Sequence, residues 1–294
     1  MEIRTLKYFL AVAQEGNISK AANVLHITQP TLSRQIKAFE DKLGTVLFDR
    51  DNNMELTDAG LLLKDRAQEI IHLANQTERE FENQKNILFN GNISFGIIEG
   101  TGSTIFSQLV ESFQEKYPGA TYDIFTGTGD DISDRIDKGL INIGFLIEPI
   151  NTNKYNIIPL KNPESWGVLI HRDHPLSQLE TLEPNDLIEE PLFISGRTPV
   201  IRKITKWFNK DIEELIIKGH YNLLSNMALL VEKKIGIAIV TEAAGLKYQT
   251  EETKFIPLKS ASKSDSILAW KKERVLTPTV EEFIKHSKQI IRQK

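Results

Sequence analysis

A chain of 294 residues with 40% hydrophobic and 26% charged side chains can bury a sizeable core and suits two domains, or one small domain and a two-lobed one. It contains no cysteine and no run of about 18 apolar residues, which excludes disulfides, thiolate-held zinc, thiol catalysis and a membrane-spanning helix. The formal net charge of −4 argues against a general nucleic-acid binder, and residues 1–58 carry seven basic against eight acidic side chains, so any DNA contact has to come from charge placement.

The amino terminus shows an amphipathic pattern and no signal-peptide pattern, which gives the expectation of a cytoplasmic protein. Leu6, Phe9, Leu10 and Ala13 form one face of a first helix that Gly16-Asn17 ends. Ser19 is placed to cap a short second helix carrying Ala21, Ala22 and Leu25 inward. Thr28 is placed to cap a third helix, with Pro30 in its first turn and Leu32, Ile36, Phe39 and Leu43 on its apolar face. At 100° per residue, Pro30, Ser33, Arg34 and Lys37 fall opposite that stripe. Val46–Phe48, the turn 49–53 and Met54–Leu56 read as a small hairpin with Arg50 near its tip. Spacing alone leaves two readings level: a helix that reads a DNA groove, or a solvated amphipathic helix followed by a hairpin.

From Thr57 a long helix runs to about residue 86. Leu63, Ala67, Ile70, Ala74, Thr77 and Phe81 step 4-3-4-3-4 along it, a heptad seam that predicts a homodimer. Beyond Gly91 strand-like runs alternate with helical ones. The strands are expected at 93–98, 121–125, 141–147, 166–170, 192–195, 214–217, 236–240 and 266–270. Helices are expected at 105–116, 131–138, 201–209 and 225–234, with a last one from about Thr279. This is the pattern of an α/β region with largely parallel sheets in two lobes, about 90–160 with 267–294 and about 161–266.

In such a region a ligand lies outside the carboxyl ends of strands, near helix N-termini. The candidates by position are Glu99, Thr101, Gly102 and Ser103 after the first strand, Thr128 and Gly129 after the second, and Glu148 after the third. The other lobe offers Ser195, Arg197, Thr198 and Tyr221. The hydroxyls suit a carboxylate or another anion, whereas Glu99 and Glu148 oppose one. Gly100-Thr-Gly102 and Gly127-Thr-Gly129 lack the third small residue of a dinucleotide fingerprint, where Ile105 and Ile132 stand. His171 and His174 have no evident third metal ligand. No nucleophile–base pairing stands out, so neither cofactor, metal nor catalytic residue is expected.

Several segments in order carry a resemblance to a known family. They are Ile18-Ser-Lys-Ala-Ala-Asn-Val-Leu25, Gln29-Pro-Thr-Leu-Ser33, Ile36, Glu40, Leu43-Gly44, Leu47-Phe48, Arg50 and Leu56-Thr-Asp-Ala-Gly60. This stretch resembles the DNA-binding domain of LysR-type transcription regulators. The downstream Gly91-Asn-Ile-Ser-Phe-Gly96, Tyr117-Pro118, His174-Pro-Leu176 and Ile235-Gly-Ile-Ala-Ile-Val240 are similar to that family's effector domain, itself similar to periplasmic solute-binding proteins. The resemblance implies a winged helix-turn-helix at 1–58, a linker and dimerisation helix at 59–89, and an effector-binding domain at 90–294. It implies that Thr28, Gln29, Pro30, Thr31, Ser33, Arg34 and Lys37 face double-stranded DNA, with Arg50 in the wing. It further implies a pseudo-palindromic operator, a small-molecule effector, a homodimer pairing into a dimer of dimers, and RNA polymerase as a partner. Two departures concern the wing, which is one residue shorter and has Asn53 where the family carries a second arginine. A third is Asn142, where aspartate is common. The competing class is an α/β solute-binding protein or enzyme with an accessory DNA-binding domain, which turnover of a bound metabolite would reveal.

Overall fold

The computed structural model describes residues 1–49, 54–84, 90–259 and 261–293, and the chain divides into two compact units, 1–85 and 86–294. In the first unit, helices α1 (Ile3–Glu15), α2 (Ile18–Val24) and α3 (Gln29–Leu43) precede a two-stranded hairpin, β1 (Phe48–Asp49) and β2 (Glu55–Leu56). The long helix α4 (Asp58–Gln84) follows. The apolar stripes read from the sequence close on one another: Leu6, Phe9, Val12, Ala21, Ala22, Leu32, Ile36, Phe39, Leu47 and Phe48 form one core.

Three local expectations are corrected. Asn17, not Ser19, caps α2, because its carboxamide oxygen reaches Ser19 N at 2.9 Å and Lys20 N at 3.0 Å. Leu43 is 42% exposed, since α3 ends at Gly44, whose positive φ of 69° closes the helix before Leu43 can turn inward. Val46 lies outside the hairpin, which begins only at Phe48.

Thr57 does start α4: its hydroxyl accepts from Gly60 N at 3.1 Å and donates to Val46 O at 2.8 Å. The heptad seam is only partly free. Ala67 is fully buried in the core of its own unit, and Leu63 and Ile70 pack against that core, because α4 lies alongside α1. Three of the six seam positions are therefore engaged within the chain. Ala74 is half-buried and Thr77 exposed, while the side chain of Phe81 lies outside the described residues.

The second unit contains two five-stranded sheets. The first has β3 (Asn92–Ile97), β4 (Thr121–Thr126), β5 (Ile143–Ile147), β6 (Tyr155–Glu164) and β12 (Ser264–Lys271), in the order β4-β3-β5-β12-β6. Helices α5 (Thr101–Lys116), α6 (Gly129–Lys138) and α10 (Pro278–Gln293) cover it. The second has β7 (Trp166–His171), β8 (Leu192–Ser195), β9 (Ile217–Tyr221), β10 (Ile237–Thr241) and β11 (Thr253–Pro257), in the order β11-β7-β10-β8-β9. Helices α7 (Thr198–Phe208), α8 (Leu224–Glu232) and α9 (Glu242–Lys247) belong to it.

Each sheet is mixed, with four of its five strands sharing one direction. Three strands are paired in parallel, β12 in one sheet and β7 in the other enter antiparallel beside them, and the edge strands β6 and β11 return to the first direction. The unexpected strands β6 and β11 are both edge strands containing proline, Pro159 and Pro257, a residue an edge tolerates and a central strand does not. The strand expected at 214–217 starts later, at Ile217. Asp211 and Glu214 first form a reciprocally capped turn, with Asp211 N donating to Glu214 Oε2 at 2.9 Å. The chain crosses between sheets at Ser165 and again within 258–263, a few residues from the boundaries expected at 160/161 and 266/267. Asn142 is buried, its side-chain oxygen accepting from Ser94 N at 2.9 Å and Ser94 Oγ at 2.7 Å, so the neutral amide still provides the acceptor that an aspartate would.

Candidate nucleic-acid interface and ligand cleft

The outer face of α3 is polar and accessible. Gln29, Pro30, Thr31, Arg34 and Lys37 are exposed, Ser33 is half-buried, and Leu32, Ile36 and Phe39 hold the opposite face in the core. Thr28 occupies the cap position in extended backbone, yet its hydroxyl bonds the Thr31 hydroxyl at 2.8 Å instead of a backbone N–H. Arg34 Nε donates to Pro30 O at 3.2 Å, which leans the guanidinium toward the N-terminal end of the helix.

Glu40, on the same helix, points inward. It is 6% exposed, and Oε1 accepts from Leu47 N at 2.8 Å and Phe48 N at 3.3 Å, tying α3 to the entry of the hairpin. This answers part of the charge problem, because one of the eight acidic groups of this segment is withdrawn from the surface. The wing residues Arg50 and Asn53 lie outside the described residues.

The second unit has a cleft between its sheets, lined by Glu99, Thr128, Glu148, Ser195, Arg197 and Tyr221, six of the eleven candidates. Trp166, Asn222, Val240 and Thr241 are among the further lining residues and were not singled out in the sequence; they lie within or beside apolar strands, where a cleft-facing position reads like a core one. Protein side chains bridge the cleft. Arg197, almost fully buried, donates Nε to Asp130 Oδ2 at 3.0 Å and Nη2 to Asp130 Oδ1 at 2.8 Å and to Pro149 O at 3.1 Å. The hydrogen bond from Arg197 holds the Asp130 carboxyl below its ordinary range.

Glu99 forms a second bridge. Its Oε2 accepts from Leu224 N at 2.8 Å, at the start of α8, and its Oε1 accepts from Tyr248 Oη at 2.6 Å. Burial first, and then the Glu99 carboxylate, push the Tyr248 phenol up to about 12, so it remains a donor through the neutral range. Tyr221, half-buried with its hydroxyl donating to Ile239 O, is raised further, chiefly by desolvation.

The other five candidates are not cleft walls. Thr101 N donates to Glu164 Oε1, a carboxylate 2% exposed whose Oε2 has no hydrogen-bond partner. Gly100 must lack a side chain here, since a Cβ would strike that carboxylate. Gly102 is buried against Phe145, and the Ser103 hydroxyl donates to Ile98 O at 3.1 Å. Gly129 lies under the Arg197 guanidinium, and Thr198 is an exposed first residue of α7. Two of the three hydroxyls expected to receive an anion are thus committed, that of Ser103 to Ile98 O and that of Thr128 to Asp131 Oδ2 at 2.6 Å, and Glu164 takes the Thr101 backbone N at the start of α5.

His171 Nδ1 accepts from Asp173 N, and His174 bonds Leu176 N through Nδ1 and Glu190 through Nε2. Among the described residues no group of three or more His, Asp or Glu side chains is arranged to hold a metal, and no helix is long and apolar enough to cross a membrane.

Comparison with known proteins agrees with both units. Residues 3–61 match the model for the bacterial regulatory helix-turn-helix protein, lysR family, and residues 88–291 match the LysR substrate binding domain. The HTH-type transcriptional regulator YtlI of Bacillus subtilis is 28% identical over 261 residues, covering 88% of this chain and 83% of its own length. The uncharacterised regulator YybE of the same organism is 28% identical over 286 residues, covering 96% and 97%. Among solved structures, full-length CbnR in complex with its target DNA has a TM-score of 0.77 at 24% identity, with 98% of this chain and 99% of that chain covered. With two domain models matching in the family's order over nearly the whole length, the chain belongs to the LysR family of DNA-binding transcription regulators that carry an effector-binding domain.

Proposed function

We propose that the exposed face of α3, namely Thr28, Gln29, Pro30, Thr31, Ser33, Arg34 and Lys37, enters the major groove of an operator, and that the cleft of the second unit receives a small effector that regulates this binding. The single observation supporting the DNA face is the separation of α3 into a buried Leu32/Ile36/Phe39 side and an accessible side bearing hydroxyl, amide, guanidinium and ammonium groups. CbnR, solved with its target DNA, offers an analogous use of the fold. On this reading the protein works in the cytoplasm on a pseudo-palindromic site, as a homodimer and a dimer of dimers in contact with RNA polymerase, and catalyses no reaction.

Replacing Ser33 and Arg34 together by Ala is expected to relax sequence preference at the base pairs they touch, by about 1–3 kcal/mol per contact. Quantitative footprinting on operator and scrambled sites measures this. Unchanged discrimination would remove that face from the interface.

Dimerisation then uses the free side of α4. Leu62 is 64% exposed, and Leu62, Arg66, Glu69, Leu73 and Thr77 recur at helical spacing beside the stripe that packs on α1. Leu62→Asp with Leu73→Asp is expected to give monomers by light scattering with the thermal unfolding of the first unit little changed. A double variant that stays dimeric removes α4 as the dimer contact.

A further inference from the structure

We infer that the cleft of the second unit takes a small cationic, amine-bearing ligand and excludes carboxylates; this rests on the cleft being the effector site. Helix N-termini are the usual place for an anion in such a fold. Here side-chain carboxylates occupy three of them, while α7 and α9 start at the cleft without a side-chain cap. Glu164 holds Thr101 N at α5, Asp131 holds the Thr128 cap of α6 with Oδ2 3.1 Å from Thr128 N, and Glu99 holds Leu224 N at α8. Arg197, the guanidinium of the cleft wall, is committed to Asp130 and to Pro149 O.

Acceptors remain. The Glu148 carboxylate lines the cavity with no hydrogen bond or ion pair among the described residues. The amine of the partly buried Lys203 contributes charge from nearby, but it donates to Ser264 Oγ at 2.6 Å and Lys263 O at 3.0 Å, not to Glu148. Independently, Thr241 lines the same cavity, is 8% exposed, and its hydroxyl has no hydrogen-bond partner among the described residues. A buried hydroxyl left unbonded costs free energy that a ligand donor relieves. An ammonium group has three donors and no acceptor, so it matches a carboxylate and a hydroxyl oxygen together. A ligand carboxylate would instead add a third negative charge beside Glu99 and Glu148, where among the described residues Arg197 is committed to Asp130 and the nearby Lys203 ammonium already faces Glu148.

The test is calorimetric titration and thermal shift on the full chain with ethanolamine, ethane-1,2-diamine and butane-1,4-diamine, against acetate, glycolate and succinate at equal ionic strength. The expected result is saturable stabilisation by at least one amine and none by the carboxylates, with Glu148→Gln weakening the amine by about tenfold or more. Glu148→Gln preserves shape, so its unliganded unfolding temperature serves as the folding control, and Thr241→Val is expected to weaken the same amine. Saturable binding of a carboxylate overturns the charge preference while leaving the cleft as the effector site. Amine binding that Glu148→Gln and Thr241→Val both leave unchanged overturns the site. No saturable binding by any probe overturns the inference. In that case a changed operator footprint for Arg197→Ala would leave the effector cleft standing, whereas an unchanged one would remove it too.

Discussion

Glu40→Ala is expected to lower the unfolding free energy of the first unit by about 3 kcal/mol, since it leaves two buried backbone N–H groups, those of Leu47 and Phe48, without their charged acceptor. In a unit of this size that corresponds to a fall in unfolding temperature of roughly 15 °C. Glu40→Gln keeps an oxygen in the same place and loses only the charge, so about 1 kcal/mol is expected. The effect on DNA binding follows from the geometry, because these two bonds set where the hairpin leaves the end of α3. Differential scanning calorimetry on both variants measures it. An alanine variant that unfolds within two or three degrees of the parent would mean that water replaces the carboxylate at this position.

Arg197→Ala is expected to destabilise the second unit by about 2 kcal/mol and to widen the cleft. The guanidinium is 7% exposed and links α6, through Asp130, and the segment after β5, through Pro149 O, to the start of α7. Breaking a fully buried pair costs more; Asp130 is 59% exposed, and solvent screening reduces the figure. Asp130→Asn strands the buried guanidinium with fewer partners and should cost at least as much. The pH dependence has a definite sign. Asp130 has a folded pKa below its unfolded value, so its contribution is complete above the ordinary carboxylate range and disappears as the pH falls through the folded value. The stability gap between parent and Arg197→Ala should therefore close on acidification below about pH 4 and stay constant above pH 6. Urea titrations at several pH values read the gap directly. A gap that widened on acidification would contradict the assignment of Asp130 as the partner. Hydrogen exchange at the first turns of α6 and α8 should increase in the variant, as the lobes lose one of the bridges that join them.

The apolar stripes of α1 to α3 were legible because helical periodicity is a local property, and Leu6, Phe9, Leu32, Ile36 and Phe39 are buried as that spacing requires. At α4 the same periodicity leaves the partner helix open. Leu63, Ala67 and Ile70 form a stripe whichever helix they meet, and they meet α1 of the same chain. Strands in the middle of each sheet were legible as continuous apolar runs, whereas the edge strands β6 and β11, half polar and carrying proline, were not. Six ligand candidates were found by their position after strands. The remainder of the cleft was hidden, since Thr241 and Trp166 terminate or begin apolar strands and give no signal of their own.

The amino-acid order determined the helix-turn-helix, the α/β character of the second unit and the polar side of α3, because each depends on contacts or periodicities within about twenty residues. Tertiary structure alone decided what the carboxylates do. Glu164 meets Thr101 N across 63 residues, Glu99 meets Leu224 N across 125, and Arg197 meets Asp130 across 67. A surface glutamate and one that neutralises a distant helix terminus have the same sequence surroundings. Only the folded chain brings the carboxylate to the dipole, and with it the charge that a ligand entering the cleft will meet.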